Sequence, residues 1–222
     1  ALSGIAAENL EGGSGIRSRT IASLEHAWAQ GRDAGANMVA LPEMFLTGYQ
    51  TQDLVLKPAF LDDCLRVVER LAADCADGPA IGIGAPWRVE GKLHNAWLVL
   101  QGGRITARVL KHELPHKELF DEYRLFDPGP ISGPYVVNGV RIGSPICEDA
   151  WWQPVTETLA ETGAEILIVP NGSPYHRDKL DLRMGHMVAR VHESGLPLAY
   201  VNMVGGQDDQ IYDGASFVLN PG

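Results

Sequence analysis

The order of apolar residues predicts an α/β chain whose sheets carry helices on their outer faces. Three observations point there. Runs of β-branched or alternating residues recur along the chain, punctuated by Gly, Pro and Asn. Between them, apolar residues spaced three and four apart mark helices. Gln101-Gly102-Gly103-Arg104 reads as a tight hairpin turn, which places two of the strands antiparallel.

Taken in order, Ile16 to Ala34 reads as a helix with apolar residues at 16, 21, 24, 27 and 28, and Gly35 is placed to stop it. A strand follows at Asn37 to Leu41. Phe60, Leu61, Cys64, Leu65, Val68, Leu71, Ala72 and Cys75 recur at helical spacing, so Pro58 to Ala76 is a helix with both thiols on its apolar face. Strands are expected at Ala80 to Ala85, Asn95 to Leu100, Arg104 to Leu110, Tyr135 to Ile146, Glu165 to Pro170, Leu198 to Val204 and Ser216 to Leu219. Further helices are expected at Pro154 to Thr162 and Lys179 to Ser194. The opening is the weakest segment: Ala1 to Ala7 makes a poor strand, and Glu11-Gly12-Gly13-Ser14-Gly15 is loop-like. The last strand runs into Asn220-Pro221-Gly222, a turn that normally leads to another strand, so the chain reads as one part of a longer one.

At 222 residues and 45% hydrophobic content, a single domain with a sizeable core is expected. A formal net charge of −10 without a basic run argues against a nucleic-acid footprint or an anionic membrane surface, and favours a small neutral or zwitterionic substrate. No run approaches the ~20 apolar residues of a membrane span, and Ala1 to Gly15 lacks the pattern of a signal peptide, so a cytoplasmic protein is expected. The cysteine count of 3 is odd and without metal spacing, which suggests neither a disulfide framework nor a zinc knuckle.

Three residues stand out because each closes a short apolar run: Glu43 in Val-Ala-Leu-Pro-Glu43, Lys111 in Ala-Arg-Val-Leu-Lys111 and Cys147 in Ile-Gly-Ser-Pro-Ile-Cys147. Taken singly, such a Cys is usually a buried spectator and such a Glu or Lys a solvated edge. Brought together at the ends of successive strands, they make an activated nucleophile. A thiol with pKa of about 8.5 is mostly protonated at neutral pH and needs a base or a cation nearby. Glu43 is the candidate base, able to take the thiol proton and return it to a leaving nitrogen. Lys111 is expected to favour the thiolate and then to hydrogen-bond the oxyanion of a tetrahedral intermediate. Acyl transfer from an amide is the natural reaction.

Leu-Pro-Glu43-Met-Phe-Leu-Thr-Gly-Tyr49, Lys111-His-Glu-Leu-Pro followed by Phe-Asp-Glu122-Tyr-Arg-Leu-Phe, and Ile-Cys147-Glu148-Asp-Ala-Trp151 resemble the nitrilase, or carbon-nitrogen hydrolase, superfamily. Gly-Ala-Glu-Ile-Leu-Ile-Val-Pro-Asn171-Gly-Ser173-Pro and Gly-Leu-Pro-Leu-Ala-Tyr-Val-Asn-Met-Val-Gly-Gly-Gln207-Asp208 are similar to the glutaminase domains of glutamine-dependent NAD+ synthetases, a likeness running from about Ile16 to Asn220. The resemblance implies a four-layer α-β-β-α sandwich and a Glu-Lys-Cys site that splits glutamine to glutamate and ammonia through a thioester. By motif, Glu43 matches the general base, Lys111 the oxyanion cation, Cys147 the nucleophile and Glu122 a second glutamate that orients Lys111. Glu148 and Ser173 match positions that bind the glutamine head group, and Tyr49 is a further candidate for the pocket. The same resemblance implies a homo-oligomer, and a partner synthetase domain that uses ATP and magnesium. These residues hold no Ser-Gly-Gly-type pyrophosphate loop, so no cofactor or metal is expected in this domain. Where the family often has a pocket tyrosine this chain has Lys117, a departure that bears on pocket shape and coupling. Two other readings stay open: a stand-alone amidase acting on another small amide, and a binding and assembly module that is catalytically silent until a synthetase docks.

Other signals are weaker. His112-Glu113-Leu114-Pro115-His116 has the letters of a zinc-protease helix, but Pro115 undermines the helix it needs. His186 and His192 could pair with Cys147 only if the fold brought them there, and are expected on a helix surface or interface. Trp151 and Trp152 are expected either to wall the pocket or to pack in the core. Arg177 to Arg183 reads as a solvated helix start, with Lys179 or Arg183 as candidates to hold a substrate carboxylate.

Overall fold

The computed structural model describes residues 16–116 and 120–222, with side chains described from residue 24 onward. The expectations for Ala1 to Gly15 and for Lys117 lie outside these residues. In chain order the elements are α1 (Ile16–Asp33), β1 (Met38–Ala40), α2 (Pro58–Asp74), β2 (Ala80–Val89), β3 (Lys92–Gln101), β4 (Arg104–Leu110), α3 (Glu122–Leu125), β5 (Tyr135–Val137), β6 (Val140–Gly143), α4 (Gln153–Glu161), β7 (Ile166–Asn171), α5 (Lys179–Ser194), β8 (Leu198–Asn202), β9 (Val204–Gln207), β10 (Gln210–Asp213) and β11 (Phe217–Leu219). Short 3-10 turns lie at Gln52–Leu56 and Cys147–Trp151.

One sheet has the order β1-β2-β3-β4 and the other β11-β8-β7-β6-β5, with β9 and β10 forming a separate hairpin. Strand periodicity sorts the side chains into layers, because neighbouring residues point to opposite faces. In β3, Ala96, Leu98 and Leu100 join Leu24, Trp28, Val68 and Leu71 of α1 and α2, whereas Trp97 and Val99 face the other sheet. In the second sheet, Leu167, Val169, Leu198 and Tyr200 pack on α4 and α5 through Leu159, Met187 and Val191, and Ile168 and Ala199 face inward. The layers therefore run helix, sheet, sheet, helix. A polar seam crosses the middle: the Trp97 indole N–H donates to the Tyr135 hydroxyl at 3.3 Å, which is bonded to Ser144 Oγ at 2.8 Å.

Most elements fall where the sequence places them, and the predicted glycine turn forms with Gly102 and Gly103 at φ +58° and +80° between paired Gln101 and Arg104. Two expected strands are broken. Tyr135 to Ile146 is a hairpin that turns at Asn138-Gly139, both left-handed at φ +48° and +85°. Leu198 to Val204 is interrupted at Met203, whose N–H bonds to the Asn171 carbonyl at 3.1 Å before the chain resumes as β9. Cys64 on α2 and Cys75 at its C-terminal cap are buried as expected, and burial pushes the Cys75 thiol up to about 11.

β1 is parallel to β2, and β6, β7 and β8 run parallel to one another. β3 runs antiparallel to both β2 and β4, so β1, β2 and β4 share a direction. The end of β4 and the loop after β1 therefore emerge at the same end of the first sheet.

Candidate active site

Glu43 sits in the turn after β1, where Leu41 N–H still bonds to the Gly82 carbonyl at 2.8 Å. The turn presses on β2 so closely that a Cβ at Gly84 would lie 2.1 Å from Met44 N, and only glycine fits there. Lys111 is one residue past β4 and bonds through its N–H to the Asn95 carbonyl at 2.9 Å. Glu122 is the first residue of α3, its N–H held by the Pro115 carbonyl at 3.2 Å. Cys147 opens the 3-10 turn with φ +48°, a left-handed conformation that costs a non-glycine residue energy and marks a place where the fold aims a side chain.

Glu43, Lys111 and Glu122 meet in one buried network. Lys111 Nζ donates to Glu43 Oε1 at 2.6 Å and to Glu122 Oε1 at 2.7 Å, with all three side chains buried. Asn95 Nδ2 donates to Glu43 Oε1 at 2.8 Å and to Glu122 Oε2 at 3.4 Å, and the Gly172 N–H donates to Glu43 Oε2 at 2.8 Å. The Tyr49 hydroxyl donates to Glu122, and its ring lies 5.8 Å from Lys111 Nζ. Cys147 feels the charges of Glu43, Lys111, Glu148 and Glu122. A cavity of about 200 Å³ adjoins the network, lined by residues that include Tyr49, Asn95, Phe120 and Glu122.

The charges around the nucleophile oppose one another, and Lys111 favours the thiolate as expected. Burial pushes the Cys147 thiol well above the ordinary range, Glu43 pushes it further, and the opposing pull of Lys111 is too weak to reverse this. With its proton held more tightly in this setting, the thiol needs a base to take that proton as sulfur attacks, and Glu43 is the candidate. Burial also disfavours the Lys111 ammonium, but Glu122 and Glu43 outweigh burial and hold it well above the usual lysine range. Burial raises the Glu122 carboxyl, with Lys111 opposing and Glu43 adding to the rise. One cation thus stands between two carboxylates and a thiol, and the titrations of these groups depend on one another.

Of the pocket candidates, Ser173 follows Gly172 directly but is committed to the frame: its N–H donates to Asn202 Oδ1 at 2.9 Å and its hydroxyl accepts from Arg183 Nε at 3.2 Å. Glu148 is half-buried beside Cys147. Trp151 is half-buried, stacked on His186 at 4.3 Å, with Lys179 Nζ 5.6 Å from its ring, while Trp152 is 50% exposed. His186 lies on α5, half-buried, and backs the tryptophan. Arg183 is fully buried, not solvated, and all its N–H groups are engaged by Ser173, Pro174 and Asp213, so it has none to offer a substrate carboxylate. Lys179 remains the candidate. Residues 112–116 are not helical, so His112 and His116 do not share a helix face, and His112 Nδ1 lies 2.7 Å from the Gly129 carbonyl.

Three contributors carry no signal in the sequence. Asn95 looks like any strand residue, Gly172 acts only through its N–H, and Asp149 hides behind the nucleophile. Asp149 is buried; its Oδ1 accepts from the N–H groups of His112 at 3.1 Å and Glu113 at 2.7 Å, and its Oδ2 from Ile146 N–H at 3.0 Å. It ties the segment after Lys111 to the residue before Cys147.

A four-layer sandwich with a buried Glu-Lys-Glu network beside a strained cysteine defines a cysteine-dependent hydrolase. The model of the carbon-nitrogen hydrolase family matches residues 10–222, and the chain belongs to that family. Among curated relatives, the glutamine-dependent NAD(+) synthetase of Rhodobacter capsulatus is 64% identical over 195 residues, covering 88% of this chain and 35% of the relative. That of Aquifex aeolicus is 36% identical over 188 residues, covering 84% and 33%. The chain thus spans about a third of the length of these relatives. Among solved structures, the glutamine-dependent NAD+ synthetase of Acinetobacter baumannii in complex with ADP superposes with TM-score 0.86 at 31% identity, covering 93% of this chain and 39% of that one. An amidase from Nesterenkonia sp. AN1, captured after Michael addition of acrylamide at its active-site cysteine, shares the fold with TM-score 0.80 at 22% identity, covering 92% of this chain and 80% of that one.

Proposed function

We propose that this chain is a glutaminase that releases ammonia from glutamine through a thioester on Cys147 and supplies it to a synthetase domain that makes NAD+. The observation that carries the chemistry is Lys111 clamped at 2.6 and 2.7 Å between Glu43 and Glu122 within electrostatic reach of Cys147. Sulfur attacks the side-chain amide carbon as its proton passes to Glu43, and the carbonyl oxygen becomes an oxyanion bonded by Lys111 Nζ. Glu43 gives the proton to the leaving nitrogen, ammonia departs and the thioester remains. Glu43 then takes a proton from water, whose oxygen attacks the thioester, and glutamate leaves as the thiol is restored. Glu148 and Lys179 flank this center as contacts for the substrate's ammonium and carboxylate groups. The choice of glutamine rests on the NAD(+) synthetase relatives. ATP and magnesium belong to the synthetase reaction and have no role in this step.

We place the domain in the cytoplasm and in a homo-oligomer. Among the described residues no helix is long and apolar enough to cross a membrane, and Leu180, Leu182 and Val188 of α5 are exposed apolar side chains. The test of function is direct. The parent chain should release ammonia from glutamine faster than from simple aliphatic amides, Cys147→Ala should abolish release, and a diazo-ketone analogue of glutamine should add its mass to Cys147 alone. An adduct on Cys64 or Cys75, or parent-rate turnover by Cys147→Ala, overturns the assignment.

A further inference from the structure

Tyr49 holds Glu122, but its own position depends on a residue from the far side of the site. The β9–β10 hairpin is anchored to the second sheet: Tyr175 N–H bonds to the Ile211 carbonyl at 2.7 Å, and Asp213 pairs with Arg183 Nη1 at 2.9 Å. From β9, Gln207 reaches across to the loop of the first sheet. Its Oε1 accepts from Gln50 N–H at 3.1 Å and its Nε2 donates to the Gln50 carbonyl at 3.4 Å. The same amide lies over Gly48, where a Cβ would come within 2.5 Å of Gln207 Oε1, and Gly48 is left-handed at φ +77°. A carboxamide offers a donor and an acceptor side by side, as a peptide group does, so Gln207 stands in for a strand neighbour that this loop lacks.

Gly48 and Gln50 flank Tyr49, so the clamp fixes the backbone on both sides of it. Tyr49 then has little freedom. Its ring packs against Gly172, where a Cβ would lie 2.4 Å from Tyr49 Cδ2, and its edge meets Phe120 at 5.4 Å between centroids. A small shift of the loop would withdraw the hydroxyl from Glu122, and Glu122 is one of the two carboxylates that aim Lys111.

We propose that Gln207 is a positioning residue of the site, which by clamping Gln50 over Gly48 sets Tyr49 and, through it, the Glu122–Lys111 pair. The hairpin thereby joins the two sheets across the pocket, and a displacement of β9 is transmitted to the ammonium that receives the oxyanion. This rests on the amide-hydrolysis reading of the Glu43–Lys111–Cys147 site.

The test is a double-mutant cycle of Gln207→Met, which keeps the bulk over Gly48 and removes the amide, with Tyr49→Phe. Gln207→Met should lower kcat about tenfold, with less change in KM, as expected for two lost hydrogen bonds acting on the transition state. In the Tyr49→Phe background its further cost should fall below about twofold, because the hydroxyl it serves is gone. Gln207→Glu, which keeps the acceptor for Gln50 N–H, should fall between parent and Gln207→Met; if Gln207→Met proves unfolded by circular dichroism, it replaces it in the cycle. Parent-like kcat, or an equal loss with and without the Tyr49 hydroxyl, overturns the proposal. Should the parent fail to hydrolyse glutamine, the proposed function falls instead, and the same cycle is read from the rate at which iodoacetamide alkylates Cys147. Independent effects there overturn the role of Gln207 on their own.

Discussion

Among the described residues, the Lys111 and Arg183 side chains are cations fully buried, and they serve opposite ends. Arg183 faces Asp213 at 2.9 and 3.1 Å, and its other N–H groups are taken by the Ser173 hydroxyl and the Ser173 and Pro174 carbonyls. Charge and hydrogen bonds both balance there, so nothing is left to react. Lys111 faces two carboxylates and a thiol, and the surplus of acceptors leaves more places for a proton than protons to fill them. Burial alone therefore does not mark a catalytic group. What separates the two sites is the unequal count of acids around Lys111, which leaves a carboxylate able to take a proton from the thiol.

The comparison is broken most sharply at Glu43. Glu43→Gln keeps the shape and removes the proton acceptor, so kcat should fall about a thousandfold, with the fold intact by circular dichroism. A loss under tenfold would remove Glu43 from the chemistry. Arg183→Met should give the opposite signature: a loss of about 1–3 kcal/mol in urea unfolding, because the Ser173 hydroxyl and the Ser173 and Pro174 carbonyls lose their buried donor while Asp213 keeps access to water, with a far smaller fall in kcat per folded molecule than Glu43→Gln. If Arg183→Met stayed as stable as the parent but inactive, Arg183 would belong to the site and the contrast would collapse.

What could be read beforehand follows the same division. Glu43, Lys111 and Cys147 were visible because each interrupts an apolar run, and such interruptions survive in one dimension. The layers were visible because helical and strand periods differ. Arg183 was misjudged as solvated because it stands among charges, Arg177, Asp178, Lys179 and Asp181, and only the hairpin that brings Asp213 over it reveals its burial. The split of Tyr135 to Ile146 was there to be seen in Asn138-Gly139, a strong hairpin signal. Asn95 and Gly172 were invisible for a deeper reason. Asn95 reaches Glu43 across 52 positions and Gly172 across 129, and neither has a side-chain type that announces the role.

Asp149 sharpens the comparison, since it is a buried acid without a bonded cation. Burial pushes its carboxyl up to about 7, against the opposing pull of the N–H groups of Glu113, Ile146 and His112 and the charge of Lys111. In the unfolded chain the same group titrates near ~3.9. Between those values the folded state holds a proton that the unfolded state has released, so this group's contribution is fully present below about pH 4 and is lost as pH rises toward 7. Asp149→Asn should remove that slope, up to about 1.4 kcal/mol per pH unit, from a plot of unfolding free energy against pH. The amide must also turn an NH2 toward one of the backbone N–H groups it replaces as acceptor. The segment after Lys111 and the turn before Cys147 then separate, and kcat should fall about tenfold, less than for Glu43→Gln because no reacting proton is lost. An unchanged slope would mean that the three N–H groups keep Asp149 ionised throughout, leaving it a neutral-pH tie between cation and nucleophile with no titration of its own.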